Sequence, residues 1–299
     1  MDELGFIHWD HASNITLMLD FVLAIGIFTC LRFFLGFISH VNTTKELAIK
    51  DNQAFGISLA GGVFSISIVL AGAIYGEPIF TLTDSVMAVG IYGMLGIVLM
   101  GVTRLIFDRI ALPKVSIRDE ILKGNVAAAV LDAGNMIATA IIIYTVMIWV
   151  LENSVRGMMD IVCGFLVSQI LLTASMYVRI KWFSRRHGAD TFEEEFKKGN
   201  VALALRFSGR RIGIAFAIAA ASNLIIYEMD HSYVLLAYWA GISIGMMCIL
   251  TAVSWIAQKI ILTGVDVNHE VIEEKNIAIA VVQSAVYISL GMLLAQFLG

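Results

Sequence analysis

The sequence is poor in charged residues, proline and cysteine. Of its 299 residues only 15% are charged and 59% are apolar, with two prolines, three cysteines and a net charge of −4. A soluble domain has about 25% charged and about 45–50% apolar residues, so this chain cannot hide its apolar surface inside one water-soluble core. The same shortages exclude a collagen-like, disordered, disulfide-linked or nucleic-acid-binding chain. The composition predicts an integral membrane protein, whose first partner is the lipid bilayer.

Recognisable catalytic and metal-binding motifs are also missing. The chain has no glycine-rich phosphate loop, no serine nucleophile elbow and no zinc-protease helix. Cys30, Cys163 and Cys248 lie in apolar stretches without the spacing of metal ligands, which predicts small buried hydrophobic residues. We therefore expect no enzymatic activity, no cofactor and no bound metal.

Eight long apolar stretches divide the chain. A helix that crosses a bilayer needs about 20 predominantly apolar residues. The stretches of this kind are 15–39, 52–75, 85–108, 125–151, 156–181, 200–227, 232–262 and 276–298. They predict an all-α polytopic membrane protein with eight transmembrane helices in a single membrane domain, residues 1–299.

Basic residues concentrate in the connectors that follow the odd-numbered spans. The opposite side offers only Arg156, among several acids. The positive-inside rule therefore predicts that the basic connectors are cytoplasmic and that both termini lie on the outer side. Residues 1–15 contain three acids and no Lys or Arg. They lack the positive segment of a cleaved signal peptide, so we expect the first span to be retained.

The chain contains a fourfold internal repeat. Four asparagines stand 73, 75 and 76 residues apart, at Asn52, Asn125, Asn200 and Asn276. An acid stands six residues before each one, at Glu46, Asp119, Glu194 and Glu270. The four units are hairpins of two spans, at approximately 15–75, 85–151, 156–227 and 232–298. Two spans restore the starting side, so all units share one orientation and are parallel repeats.

The repeated columns have two interpretations. Each asparagine follows a polar connector and precedes an apolar helix, a position typical of an N-cap. Small residues four, eight and nine positions later predict close packing between the even helices. Alternatively, the four asparagines and four acids form a ring at the cytoplasmic mouth of a pathway. The sequence leaves both interpretations open, and it does not choose between a symmetric ring and two paired halves.

The run KELAIKDNQAFGI at residues 45–57, leading into Ala60, Gly61 and Gly62, resembles the signature of the YjfL-like bacterial inner-membrane proteins, a domain family of unknown function. Similar runs recur at the other three asparagines, so the resemblance covers the chain as four tandem copies. It implies a multi-pass helical fold in the bacterial inner membrane. It implies no substrate and no catalytic residue.

Charged residues interrupt two of the even spans. The third unit has Arg206, Arg210 and Arg211, and the second has Asp132, at positions that are uncharged in the first unit. Arg210 and Arg211 lie roughly 15–17 Å beyond their asparagine, near the middle of a hydrocarbon core about 30 Å thick. A charge there costs about 2.5–3.5 kcal/mol. These side chains should therefore face the bundle interior, a partner charge or water.

We predict that Asp132 pairs with Arg210 or Arg211. Asn135 and Gln283, helix dipoles, lipid headgroups or a bound anion would then meet the remaining positive charge. Three interpretations of this cluster stay open: a buried ion-pair network that fixes helix packing, a pathway or site for an anion, and an inner-leaflet lipid-headgroup site.

Two functional hypotheses follow. In the first, the protein is a channel or secondary transporter for a small anionic solute or ion, with the arginines and Asp132 lining the pathway. In the second, it is a non-transporting scaffold whose basic connectors recruit a cytoplasmic envelope-stress or membrane-remodelling partner or anionic lipid. A cavity reaching Arg210 and Arg211 would favour transport, and a fully paired core would favour the scaffold. We also expect a homodimer.

Overall fold

A computed structural model describes residues 11–38, 41–75, 82–113, 115–150, 154–188 and 191–299. Eight long helices run through these residues: α1 (His11–Ile38), α2 (Gln53–Tyr75), α3 (Leu82–Ile106), α5 (Val126–Val150), α6 (Val155–His187), α8 (Val201–Ser222), α9 (Ser232–Ile261) and α11 (Ile277–Phe297). Three short helices precede three of them: α4 (Ile117–Leu122), α7 (Thr191–Lys197) and α10 (Val267–Ile272). The acidic segment 1–10 lies outside the described residues.

The described part of the chain is helical and contains no strand. Six of its segments are long and apolar enough to cross a membrane: Gln53–Tyr75, Val89–Ala111, Val126–Val150, Val155–Arg186, Met229–Ile261 and Ile277–Phe297. Helix α1 adds a shorter apolar stretch, Phe21–Phe34. Every 18-residue stretch of α8 contains Arg206, Arg210 and Arg211, so its composition alone does not assign it to the membrane. The molecule is therefore an all-helical, multi-pass membrane protein.

The even-numbered spans of the sequence form a row in the order α2, α5, α8, α11. Neighbouring helices in the row touch through small residues, with Gly61 on Ala133, Gly134 on Ser208 and Gly209 on Ser284. A Cβ atom added at any of these glycines would lie 2.4–2.5 Å from its neighbour. The predicted role of the small residues in close packing is thus confirmed, because any larger side chain would push the helices apart.

The odd-numbered spans pack along the flanks of this row. Helix α3 contacts α1, α2 and α5, α6 contacts α5, and α9 contacts α8 and α11. Because α2 and α11 occupy opposite ends of the row, the four asparagines do not surround a common axis. The predicted ring at the mouth of a pathway is therefore not the arrangement found.

Two of the cysteines contradict the prediction of small buried residues. Cys30 on α1 and Cys248 on α9 are exposed, and Cys163 on α6 is partly buried. Both exposed residues lie on flanking helices, which turn apolar faces away from the row. In a membrane protein an apolar residue need not be buried in protein, because the bilayer also accepts it.

Candidate functional site

Each of the four asparagines begins an even-numbered span. The side-chain oxygen accepts a backbone N–H from the first turn of the helix, donated by Phe55, Ala128, Leu203 and Ile279 in turn. The preceding residue has a positive φ in every case: Asp51, Gly124, Gly199 and Lys275. The predicted N-cap role is confirmed for Asn52, Asn125, Asn200 and Asn276.

Three of these asparagines also join one unit to the next. Their Nδ2 atoms donate to backbone carbonyls of the following connector: Asn52 to Ile121 at 3.1 Å, Asn125 to Phe196 at 3.1 Å and Asn200 to Val271 at 3.2 Å. The Nδ2 of Asn276 donates to the carboxylate of Glu270, and among the described residues it forms no bond to the connector of another unit. The asparagine column thus both starts the helices and holds the connectors in register.

The acids that stand six residues before the asparagines accept hydrogen bonds from them in only two units. Glu46 accepts from Asn52 at 3.2 Å, and Glu270 accepts from Asn276 at 2.8 Å. In the second and third units the acceptors are Glu120 and Glu195, five residues before the asparagine. Asp119 and Glu194 are instead exposed.

The difference between the units has a geometric cause. The N–H of Asn52 and of Asn276 donates to the carbonyl six residues earlier, whereas that of Asn125 and of Asn200 donates to the carbonyl five residues earlier. The first and last connectors therefore contain one more residue in their final turn, and a fixed spacing selects the wrong acid in the other two.

The three carboxyls of Glu46, Glu120 and Glu195, the first two buried and the third partly buried, are held in their ionised form. Burial raises the pKa of Glu46, Glu120 and Glu195, but hydrogen bonds from a lysine and from the asparagine more than offset it. Each pKa consequently lies below its usual value. The lysines are Lys50, Lys123 and Lys198.

Asp132 does not pair with Arg210 or Arg211, as the sequence suggested. Its carboxylate contacts the guanidinium of Arg104 on α3 at 2.5 Å and accepts from the hydroxyl of Ser58 on α2 at 2.6 Å. Arg104 also donates to Ser58 at 2.6 Å. Asp132 on α5 is 2% exposed. The prediction failed because α3 packs against α5 closely enough to bring its own arginine to the carboxylate.

This triad lies in a cavity of about 230 Å³, here called the aspartate pocket. The pocket is lined by residues of α2, α3, α4 and α5, and it lies at the end of the bundle where the short connector helices are. Besides Arg104 and Asp132, its charged lining residues are Asp108, Arg109 and Arg118. Cations and carboxylates are therefore nearly balanced in this pocket.

A second, larger cavity lies between α6, α8, α9 and α11. It has a volume of about 1170 Å³, and we call it the arginine cavity. Five cationic side chains line it: Arg179, Arg186, Arg206, Arg210 and Lys259. Asp266 is the single acid among its described lining residues, and its carboxylate already caps α10.

Neutral groups hold the two central arginines. Arg210 donates to the hydroxyl of Tyr287 at 2.6 Å and to that of Thr251 at 3.2 Å, while its buried Nε has no partner among the described residues. Arg206 donates to the side-chain oxygen of Asn268 at 3.0 Å. Within the described ranges, no carboxylate forms an ion pair with either arginine.

The remaining predicted site residues are divided. Gln283 lines the arginine cavity and donates to Gln258 at 2.7 Å. Arg211 turns away from that cavity, donates to the carbonyl of Leu172 at 3.2 Å and lies over the ring of Phe107. Asn135 is fully buried, and neither polar atom of its amide has a hydrogen-bond partner among the described residues. The predicted single cluster is thus two separate sites, with Arg211 and Asn135 in neither large cavity.

Sequence reasoning missed several residues of these sites. Arg104, Arg179, Arg186 and Lys259 were assigned to the basic connector ends of the spans, where they counted only toward orientation. Ser58 and Tyr287 carry no charge, and the sequence did not predict a role for them in a site. The basic residues could have been recognised because each lies within or at the end of a long apolar stretch that forms a flanking helix.

The two cavities occupy equivalent places in the two halves of the chain. The shift of 148 residues that carries Asn52 onto Asn200 carries Ser58 onto Arg206. The shift of 151 residues that carries Asn125 onto Asn276 carries Asp132 onto Gln283. In the second half a cation, Arg206, therefore stands in place of Ser58, and a neutral amide, Gln283, stands in place of Asp132.

Comparison with known proteins divides the chain at the same place. A family model described as Domain of Unknown Function (DUF350) matches residues 9–147 and again residues 152–298. No curated protein and no solved structure matches the chain.

Proposed function

The chain belongs to the DUF350 family, and we propose that it is a membrane carrier for an anion, with the arginine cavity as the binding site. The observation behind this proposal is the excess of cations between apolar helices, five against one described acid. A cationic residue within the bilayer costs about 2.5–3.5 kcal/mol when nothing compensates it. A bound anion would offset that cost through charge-assisted hydrogen bonds to Arg206 and Arg210.

A carrier fits the shape of the cavity better than an open channel. The cavity extends from connector residues 262–268 to Ile214 and Ile244. Beyond these residues Trp239 is completely buried and donates to the carbonyl of Ile218 at 3.2 Å. An anion entering from the connectors would meet this closed layer, so release on the other side requires a rearrangement of the helices.

The same proposal includes the topology. We propose that α1 and α8 cross the membrane as well, giving eight spans in four tandem YjfL-like hairpins, with connectors in the bacterial cytoplasm and both termini outside. Helix α1 has 28 residues and α8 has 22, enough for a crossing. Helix α8 packs between α5 and α11, within the row rather than at one of its ends. A homodimer is part of this proposal.

The scaffold remains a second candidate because of one observation. Lys50, Lys123, Arg185, Lys197 and Lys198 are exposed on the connector side. Such a surface attracts anionic lipid or an acidic cytoplasmic partner. A scaffold needs these exposed residues, whereas a carrier needs the arginines inside the cavity.

Flux across proteoliposomes of the purified full chain tests the carrier. Labelled phosphate, sulfate and small organic carboxylates, together with anionic lipid, would be offered to the wild type, Arg210→Gln and Lys198→Gln. We expect Arg210→Gln to lose at least about tenfold of the flux, equivalent to ~1.4 kcal/mol, and Lys198→Gln to keep it. Flux no greater than that of empty vesicles for every anion would contradict the carrier and favour the scaffold.

A further inference from the structure

The arginine cavity is much larger than an inorganic anion requires. Its volume of about 1170 Å³ exceeds the typical range of ligand pockets, about 300–1,000 Å³. Its cations are confined to one end. The other end is apolar and is lined by Leu171, Ile214, Ile244, Met247 and Cys248.

The cavity also has the height of one leaflet. On α9 the lining runs from Ile244 to Lys259, which is about 22 Å at 1.5 Å per residue. Half of a bilayer with its headgroup region measures about 20–22 Å. A lipid of the leaflet on the connector side therefore matches the cavity in length.

Aromatic residues mark the cationic end as a membrane interface. Arg186 lies 3.7 Å from the ring centre of Trp182, and Lys259 lies 4.1 Å from that of Trp255. Tryptophan and basic side chains are enriched at the headgroup level of membranes. This geometry puts the cations beside headgroups and the apolar end beside acyl chains.

The cavity is open toward the bilayer between α6 and α9. Ile244 and Trp255 line the cavity, yet they are 52% and 58% exposed. A ligand can therefore enter sideways from the membrane without crossing the row of packed helices.

We propose, on the basis of the anion site proposed above, that the ligand is a lipid with an anionic phosphate headgroup. Its phosphate binds Arg206 and Arg210, and its acyl chains lie along the apolar end. Arginine suits this role because its planar fork forms two parallel hydrogen bonds to phosphate oxygens. Among the described residues the buried Nε of Arg210 has no hydrogen-bond partner, so this guanidinium is not fully satisfied by the protein.

Cys248 provides the test because it lies at the apolar end of the cavity. In the full chain carrying Cys30→Ser and Cys163→Ser, an acyl chain would shield Cys248 from a maleimide, whereas a free phosphate at the arginines would not. The probes are dioleoyl phosphatidic acid, dioleoyl phosphatidylcholine and inorganic phosphate, each added in dodecylmaltoside. We expect phosphatidic acid at about ten times its dissociation constant to slow labelling about tenfold, with no slowing by the other two.

Three variants complete the experiment in the same background. Arg210→Gln and Arg206→Gln should abolish the protection, and Lys198→Gln should retain it. Thermal unfolding without lipid checks that each variant folds. If Arg210→Gln does not fold, Arg206→Gln decides the outcome.

The possible failures are distinct. Equal protection by phosphatidylcholine would overturn the need for the anionic headgroup. Binding of inorganic phosphate that depends on Arg210, without protection of Cys248 by phosphatidic acid, would overturn the lipid and leave the anion carrier standing. Binding of none of the probes, together with no flux of any anion, would overturn both proposals.

Discussion

The two halves of the molecule differ in how they compensate the charge of arginines that lie between apolar helices. In the first half Arg104, Asp132 and Ser58 satisfy one another in a pocket of about 230 Å³. In the second half Arg206 and Gln283 stand at the positions of Ser58 and Asp132, and the cavity is about 1170 Å³. A triad that supplies its own counter-charge needs no ligand. The second half instead carries positive charge at Arg206 and Arg210, with which no carboxylate among the described residues pairs.

The largest expected effect comes from breaking the balanced triad. Asp132→Asn leaves Arg104 buried without its counter-charge, and such a loss typically costs about 3–5 kcal/mol of the free energy of unfolding. The double variant with Arg104→Gln should recover most of it, because no uncompensated charge remains. Unfolding by sodium dodecyl sulfate in mixed micelles measures these values, with the exposed Asp119→Asn as the neutral control. If wild type and Asp132→Asn were equally stable, Asp132 would not be the counter-charge that stabilises Arg104.

A carboxylate can also be introduced into the second half. Gln283→Glu puts an acid at the position equivalent to Asp132, where it would compete with an anion for the arginines. We expect anion flux to fall about tenfold, or ~1.4 kcal/mol in binding, without loss of folding. Gln283→Leu is the matched control and should retain flux, since it removes the amide without adding charge. If both variants behave alike, the loss does not come from charge.

The smallest expected effect is the difference between two asparagine caps. Asn125→Ala removes an N-cap and the hydrogen bond to Phe196 that joins the two halves. Asn276→Ala removes a cap without such a joining bond. A cap is worth about 1 kcal/mol and a further hydrogen bond about 0.5–1.5 kcal/mol, so Asn125→Ala should be the more destabilising. The same micelle titration compares them, and a greater loss from Asn276→Ala would refute the joining role.

Much of the architecture could be predicted because local patterns carry it. The asparagine register located the start and the cap of α2, α5, α8 and α11, and each predicted span overlaps one of the eight long helices. The small-residue columns predicted where helices touch. The acid that accepts from each asparagine was harder to predict. Asp119 and Glu120 are adjacent, and only the length of the connector's final turn decides which one faces the asparagine.

The contents of the cavities lay beyond any local pattern. The sequence predicted Arg210 or Arg211 as the partner of Asp132, but the partner in the structure is Arg104 on α3. Arg210 and Arg211 are neighbours in sequence, yet one faces the cavity and the other faces Phe107. Successive residues of a helix are turned about 100° apart, so only the packed neighbours decide which of two adjacent arginines meets a cavity.

By itself, the sequence determined that this chain is a membrane protein, where its eight long helices lie, and which small residues let them approach. These properties depend on hydropathy, caps and spacing, which act over a few turns of helix. Only the tertiary structure decided that the even-numbered spans form a row, that Arg104 neutralises Asp132, and that Arg206 and Arg210 share a cavity without a carboxylate to balance them. Charge balance depends on distances between helices far apart in the chain, and packing alone sets those distances.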